Sequence, residues 1–456
     1  MYDMIVIGGG AGGYAGAIRS AQLGAKVGIV EKDLLGGVCV NKGCIPTKTW
    51  LKAAQTLRVV KQAKDFGVEA DFKAVNFNKI LENKEDCRNK IKMGMESLLG
   101  NNGVDVIKGH ARFKNAKEID VDGTVYKSKK FIIATGSRIE IPKIEGLEDA
   151  LMTTDDVLDM SSAPASVLIV GEDTIAVEMA DLLNTMGTKV ILVTPQSRIL
   201  PIEDTDSSQR LSQAFRSDGI NIITKATLSA VKKNKKGFSC LLSGKKETIV
   251  EVEKVLCSPR VANSDHLELG NAAVRLNEDN SIKVNESLMT TAPGIYAIGD
   301  VIGGFMQSHA ASAMAVIAAE NAMGQNSKYD KNLIPKGTWT SPEVASVGLT
   351  EDEAENQGLD IDVGYFPYSI NGLAIARNES FGAVKIIADE EYRTIYGVHI
   401  VGPNATELIG EAVLAMQLEY TTEDLARGIR VHPSFSEAVV DAARDAEKWA
   451  LYLPKK

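Results

Sequence analysis

The sequence is short of the features that mark several functional classes. Its 456 residues contain only five cysteines and five histidines, and aromatic residues make up 5%. Cysteines so sparse in so long a chain do not form the disulfide framework of a small secreted domain. No apolar run approaches the ~20 residues that a membrane-spanning helix needs. There is no excess of positive charge. The net charge of −9 argues against nucleic acid or an anionic membrane as the main partner. Solenoid repeats and low-complexity tracts are absent too. Met1 runs straight into an apolar strand pattern at residues 4–7, which leaves no room for a signal or transit peptide. A cytoplasmic protein is expected, in which a disulfide is more naturally catalytic than structural.

What is present is ordinary in bulk and specific in detail. Apolar residues at 44% and charged residues at 24% fit a globular protein, and the length calls for two to four domains. The first 30 residues read strand, Gly-rich turn, helix, strand. A second unit of that kind begins near Val167 and continues to a strand at Lys189–Val193. Two such units imply two nucleotide-binding halves, each with a parallel sheet. A polar linker near 327–336 contains Pro335. Beyond it, strands at 344–348, 382–387 and 395–401 and helices at 404–418 and 435–449 read as an α+β domain.

The first turn carries Gly8, Gly10 and Gly13 in G-x-G-x-x-G spacing, directly after a strand and opening a helix. Glycine there permits a tight turn and close approach of the backbone to a pyrophosphate at the helix N-terminus. Glu31 ends the next strand, where a carboxylate accepts a ribose hydroxyl. A lone G-x-G-x-x-G is weak evidence; strand, glycines, helix, strand and acid at this spacing make a dinucleotide site.

Residues 36–48 read GGVCVNKGCIPTK. Cys39 and Cys44 lie five positions apart, ~8.6 Å between Cα atoms in a regular helix. A disulfide needs roughly 4.4–6.8 Å. Bridging the pair therefore requires a distorted backbone, for which Gly43 and Pro46 are candidates. A metal site would need further ligands in a second cluster, and Cys87, Cys240 and Cys257 are scattered singly.

These two segments together resemble the flavin-dependent pyridine nucleotide–disulfide oxidoreductases of class I, and within them the dihydrolipoamide dehydrogenases. Further motifs fall in the family's order: IATGS at 133–137, TTAPGIYAIGD at 290–300, SPEVASVG at 341–348, GVHIVGPNATELI at 397–409 and HPSFSE at 432–437. The resemblance implies an α/β fold with two Rossmann-like dinucleotide-binding domains and a C-terminal α+β dimerisation domain. The expected boundaries are 1–145 for the first part of the FAD domain and 146–265 for an NAD-binding-like domain. A return to the FAD domain is expected over 266–330, and the interface domain over 335–456. It implies that FAD is held by Gly8, Gly10, Gly13, Glu31, Lys48, Gly136, Asp300 and His309. It assigns Cys44 to the flavin side and Cys39 to exchange with the thiol substrate. Lys48 and Glu178 match residues that pair beside the flavin. His432 would be the base, since an imidazole titrates near working pH, and Glu437 would orient it. In the family this dyad serves the other subunit, so a homodimer is implied. No lipoyl domain precedes the first strand, so a lipoyl-bearing carrier is expected in trans.

The second dinucleotide turn departs from the family. It reads Gly171, Glu172, Asp173, Thr174, Ile175, Ala176, with Asp173 where a glycine is usual. Aspartate adds bulk and like charge against a pyrophosphate. A like-charge pair at ~4 Å costs ~1 kcal/mol in water and ~4 kcal/mol at an effective dielectric of 20, or roughly five-fold to a thousand-fold in affinity. Thr194 stands where an acid would bind ribose, no arginine cluster awaits a 2′-phosphate although Arg198 is near, and Pro259 replaces a glycine in SPRVAN. Gly171, Ala176 and Arg260 remain the candidate NAD contacts. Three readings follow. NAD is the acceptor of an ordinary dihydrolipoamide oxidation, or electrons reach the flavin by another route, or the chain is a non-catalytic flavoprotein subunit of a lipoyl complex.

Overall fold

The structure, a computed structural model, describes residues 1–454. Its first compact unit comprises Met1–Ile141, Thr153–Ser162 and Pro259–Asp330. The second comprises Pro142–Met152, Ala163–Ser258 and the chain from Lys331 onward. The stretch Thr153–Ser162, expected with the second unit, belongs to the first. Trp50 explains this, because its buried indole N–H donates to the Leu158 carbonyl at 2.9 Å. The Lys84 ammonium donates to the same carbonyl and pairs with Asp159.

In the first unit, five parallel strands run in the spatial order Asp105–Lys108, Val27–Glu31, Tyr2–Ile7, Thr124–Ile133, Ile295–Ala297. The central segments are continuously apolar and buried, as strands covered on both faces must be. Thr124–Ile133 has two roles. Its first residues pair antiparallel with Glu118–Val121, and its last pair in parallel with Tyr2–Ile7 and Ile295–Ala297. The strand order reverses between Tyr2–Ile7 and Thr124–Ile133. That reversal opens a crevice at the carboxyl ends of these two strands.

The second unit repeats the plan. Parallel strands run Asn221–Ile223, Lys189–Val193, Ser166–Val170, Lys254–Cys257, Leu151–Met152. An antiparallel sheet of Ala226–Asn234, Gly237–Gly244 and Thr248–Val252 is inserted in the chain between Asn221–Ile223 and Lys254–Cys257. The C-terminal part is a five-stranded antiparallel sheet, Lys336–Thr338, Val344–Gly348, Ile395–Val401, Ala383–Asp389, Ile361–Pro367, packed by the helices Ala405–Gln417 and Glu437–Ala446. Gly364 has a specific part in this packing. A Cβ there would meet the Ala442 carbonyl oxygen at 2.1 Å, so only glycine lets the Glu437–Ala446 helix lie directly on its strand. The architecture is thus two Rossmann-like sheets plus an α+β C-terminal part. No described helix is long and apolar enough to cross a membrane.

Candidate active site

The first glycine turn sits in the crevice of its sheet. Gly8 has φ +106°, and a Cβ on it would meet the Ala134 carbonyl oxygen at 2.3 Å. A Cβ on Gly13 would meet the Gly8 carbonyl oxygen at 1.8 Å. Gly10 caps the Ala11–Gln22 helix without a side chain, so no side chain covers the first backbone N–H groups. Those N–H groups and the positive end of the helix suit a pyrophosphate. Glu31 Oε2 accepts the Gly9 N–H at 2.6 Å and Oε1 the Asp33 N–H at 2.8 Å. A carboxylate keeps further lone pairs for a ribose. Gly136, at φ +70°, lies in the segment that leaves the Thr124–Ile133 strand. Asp300 accepts the Ser137 hydroxyl. The residues present therefore fit FAD.

The cysteine segment is docked onto this turn by backbone. The Gly36 N–H donates to the Gly9 carbonyl at 2.8 Å, and a Cβ on Gly37 would meet Gly10 Cα at 2.8 Å. Cys39 lies on the short helix Gly37–Asn41, and Cys44 is the first residue of the helix Cys44–Gln62. The chain breaks between them at Lys42 and Gly43, the latter at φ −138°, ψ −110°. Pro46, also expected to bend the segment, instead sits in the first turn of the second helix, where a missing N–H costs little. The break brings the two thiols into hydrogen-bond contact.

The pair is strongly polarised. Cys44 is lowered to about 6, first by the hydrogen bond from Cys39, against burial, and further by the Ser308 hydroxyl and the Lys48 ammonium. Cys39 is pushed far up by its contact with Cys44 and by burial. The charge therefore resides on Cys44, whose sulfur lies 3.3 Å from Ser308 Oγ. Cys44 also occupies a helix N-terminus, a setting that favours thiolates. In the reduced protein one thiolate should appear as pH is raised through about 6, read as ultraviolet thiolate absorbance. Cys44→Ser should remove that step, whereas a titration unchanged in that variant would move the charge to another cysteine.

The C-terminal dyad is assembled locally. His432 Nδ1 lies 2.8 Å from Glu437 Oε1, and Glu437 Oε2 accepts the Ser434 N–H at 2.7 Å. Phe435 anchors the loop in the core, its ring 5.5 Å from that of Tyr368. The Asn371 amide donates to the Ser434 carbonyl at 3.0 Å. With Nδ1–H donated to the carboxylate, Nε2 is the basic nitrogen. The imidazole is 77% exposed, and Ile429 and Val431 beside it are 95% and 80% exposed.

The second turn differs from the first at the place that matters for a pyrophosphate. Asp173 caps the Thr174–Thr185 helix. Its Oδ1 accepts the Ala176 N–H at 2.8 Å, and its Oδ2 accepts the Ser258 hydroxyl at 3.0 Å. Gly171, at φ +151°, leaves room for that serine; a Cβ would meet Ser258 Oγ at 2.0 Å. Glu172 accepts the hydroxyl of buried Thr194 at 2.9 Å. The seat of a pyrophosphate is thus filled by the chain's own carboxylate. In this conformation the turn does not fit a dinucleotide.

The remaining expected residues divide between the units. Lys48, in the first turns of the Cys44–Gln62 helix, acts on the cysteine pair. His309 is exposed in the first turn of the Ser308–Ala322 helix. Glu178 is buried in the second unit and accepts the Trp339 N–H at 3.0 Å. Arg260 belongs to the first unit, where it donates to the Ser137 hydroxyl and carbonyl, both at 2.8 Å. Ser308 and Ser258 were not singled out by motif. Ser308 stands 264 positions from Cys44, and nothing local in MQSH signals its contact.

The sequence model described as Pyridine nucleotide-disulphide oxidoreductase matches residues 2–315. The dimerisation domain of the same family matches residues 334–443. The dihydrolipoyl dehydrogenase of Bacillus subtilis (strain 168) is 38% identical over 471 residues, covering 99% of each chain. That of Thermus scotoductus is 38% identical over 460 residues, again covering 99% of each. Among solved structures, LpdA from Mycobacterium tuberculosis aligns with a TM-score of 0.89 at 25% identity, covering 97% of this chain and 99% of that one. The HOCl-induced flavoprotein disulfide reductase RclA from Escherichia coli, solved as a Cu(II) complex, aligns with a TM-score of 0.85 at 26% identity, covering 97% and 98%. Glycine turn, cysteine pair and dyad thus occur in a chain that matches these relatives almost end to end, and the protein belongs to the pyridine nucleotide-disulphide oxidoreductase family.

Proposed function

We propose that the protein is an FAD-dependent dithiol–disulfide oxidoreductase that oxidises protein-bound dihydrolipoamide through Cys39 and Cys44, with NAD as a weakly held final acceptor. The observation that carries this reading is the polarised thiol pair docked on the first glycine turn. The working unit is a homodimer in the cytoplasm. His432 of the partner subunit serves each cysteine pair, and the exposed Ile429 and Val431 beside each dyad suit burial against a second copy. The lipoyl group arrives on a separate carrier protein.

The dithiol half-reaction follows from these residues. His432 Nε2 takes a proton from one substrate thiol, because only the thiolate is nucleophilic. That thiolate attacks Cys39 Sγ of the Cys39–Cys44 disulfide. The Cys39–Cys44 bond breaks, and Cys44 leaves as the thiolate its surroundings favour. A low leaving-thiol pKa speeds exchange. The second substrate sulfur, losing its proton, attacks the first, closing the substrate disulfide and expelling Cys39, which takes up that proton as a thiol. The substrate loses two electrons and the cysteine pair gains them; the first proton stays on His432, stabilised by Glu437. FAD, when bound, supplies the two-electron acceptor that returns the pair to the disulfide.

Anaerobic mixing of the FAD-loaded protein with dihydrolipoamide tests this. Bleaching of the flavin band within the turnover time is expected. A flavin that stays oxidised in excess dihydrolipoamide sinks the proposal.

A further inference from the structure

We infer that Asp173 is a specificity-determining residue that holds the affinity for NAD(H) low by occupying the pyrophosphate seat of the second dinucleotide turn. The inference rests on the function proposed above only for the identity of the dinucleotide.

The two turns make an internal comparison. Both follow the central strand of a parallel sheet, and both open a twelve-residue helix. In the first turn the cap is Gly10, and no side chain covers the helix N-terminus. In the second the cap is Asp173, with one carboxylate oxygen on the Ala176 N–H and the other on the Ser258 hydroxyl. Ser258 follows the neighbouring strand Lys254–Cys257, so the carboxylate spans the crevice at which the sheet order reverses. A pyrophosphate in that crevice needs the N–H groups and the positive helix end that Asp173 already uses. It would also meet a fixed negative charge. Glu172 adds a second acid in the turn, held by Thr194.

This arrangement is self-consistent and needs no bound anion. Aspartate is among the favoured N-cap residues, so the helix end is satisfied by the chain itself. A dinucleotide must displace that cap, break the Ser258 contact and tolerate the carboxylate nearby. The affinity lost, roughly five-fold to a thousand-fold from charge alone, raises the NADH dissociation constant by that factor over the same turn without the carboxylate. Residues that bind the nicotinamide or adenine cannot restore the missing phosphate contact.

NADH and ADP-ribose are the probes, titrated against the FAD-loaded dimer by calorimetry. Two variants separate charge from space. Asp173→Asn keeps an oxygen for the Ala176 N–H and removes the charge. Asp173→Gly removes both, and glycine is well tolerated at a helix N-cap. Asp173→Asn should bind NADH at least ~5-fold more tightly than the unaltered protein, and Asp173→Gly more tightly still. ADP-ribose, which keeps the pyrophosphate but lacks nicotinamide, should show the same order. Unchanged affinity in both variants would overturn the inference, as would low-micromolar NADH binding by the unaltered protein. Flavin reduction by dihydrolipoamide in the unaltered protein tests the underlying function separately, so failure of one reading is distinct from failure of the other.

Discussion

Cys44→Ser should abolish dihydrolipoamide oxidation while the protein keeps its fold and its FAD. The substitution exchanges sulfur for oxygen in a side chain that is half-buried. The serine hydroxyl still reaches Ser308, so the start of the Cys44–Gln62 helix keeps its contact. What disappears is the bond the chemistry makes and breaks. Cys39 is then a lone thiol, and with no disulfide for the substrate thiolate to attack, no electron pair passes toward FAD. Turnover should fall to the assay background. Cys39→Ser should also be inactive, for a different reason: the thiol that exchanges with substrate is gone, while Cys44 remains. The reduced Cys39→Ser protein should therefore keep the Cys44 thiolate, because the serine hydroxyl, Ser308 and Lys48 still favour it. Steady-state rates with dihydrolipoamide, alongside flavin content, decide the matter. Turnover in Cys44→Ser comparable to that of the unaltered protein would remove the disulfide from the mechanism.

His432→Gln has the second-largest effect, a loss of about 10²–10⁴-fold in the rate of dithiol oxidation. Glutamine preserves polarity at the surface but cannot take a proton. The fold should be untouched, since the imidazole is exposed and the loop is anchored elsewhere, by Phe435 and the Asn371 contact. Glu437→Gln should lose less. An amide oxygen still accepts the imidazole Nδ1–H, but the amide nitrogen cannot accept the Ser434 N–H that Glu437 Oε2 now receives. The imidazolium also loses its counter-charge. A rate of dithiol oxidation in Glu437→Gln equal to that of the unaltered protein would leave the carboxylate without a role beyond holding the loop.

Much of this was legible in the chain because the relevant rules act over few residues. Gly8, Gly10 and Gly13 lie within one turn, and so do Cys39 and Cys44, His432 and Glu437. Their meaning depends on spacings that a single loop or helix end fulfils. The order of these motifs then identified the architecture of two Rossmann-like sheets and an α+β C-terminal part. The antiparallel insert over residues 226–252 was not read in advance, nor were the strands Lys336–Thr338 and Ile361–Pro367. Lys336–Thr338 is three residues long, with a lysine that is buried only because the surrounding fold buries it. Ile361–Pro367 carries Gly364, which weakens a strand pattern locally and is there for a helix some eighty residues later.

By itself, the sequence determined which residues are the candidates for the chemistry and that an acid stands in the second glycine turn. It did not determine where the charge on the thiol pair resides. That depends on Ser308, on the break at Gly43 and on the helix that begins at Cys44, three features that meet only after folding. Nor did it determine what Asp173 does. As a letter in a motif it is bulk and negative charge near a phosphate. In the folded protein it is a helix cap braced by Ser258, a residue 85 positions away, just past the neighbouring strand Lys254–Cys257. The physical reason is the same in both cases. Spacing rules describe what a residue offers, whereas hydrogen-bond partners and burial, which decide protonation and occupancy, are set by segments the chain brings together from far apart.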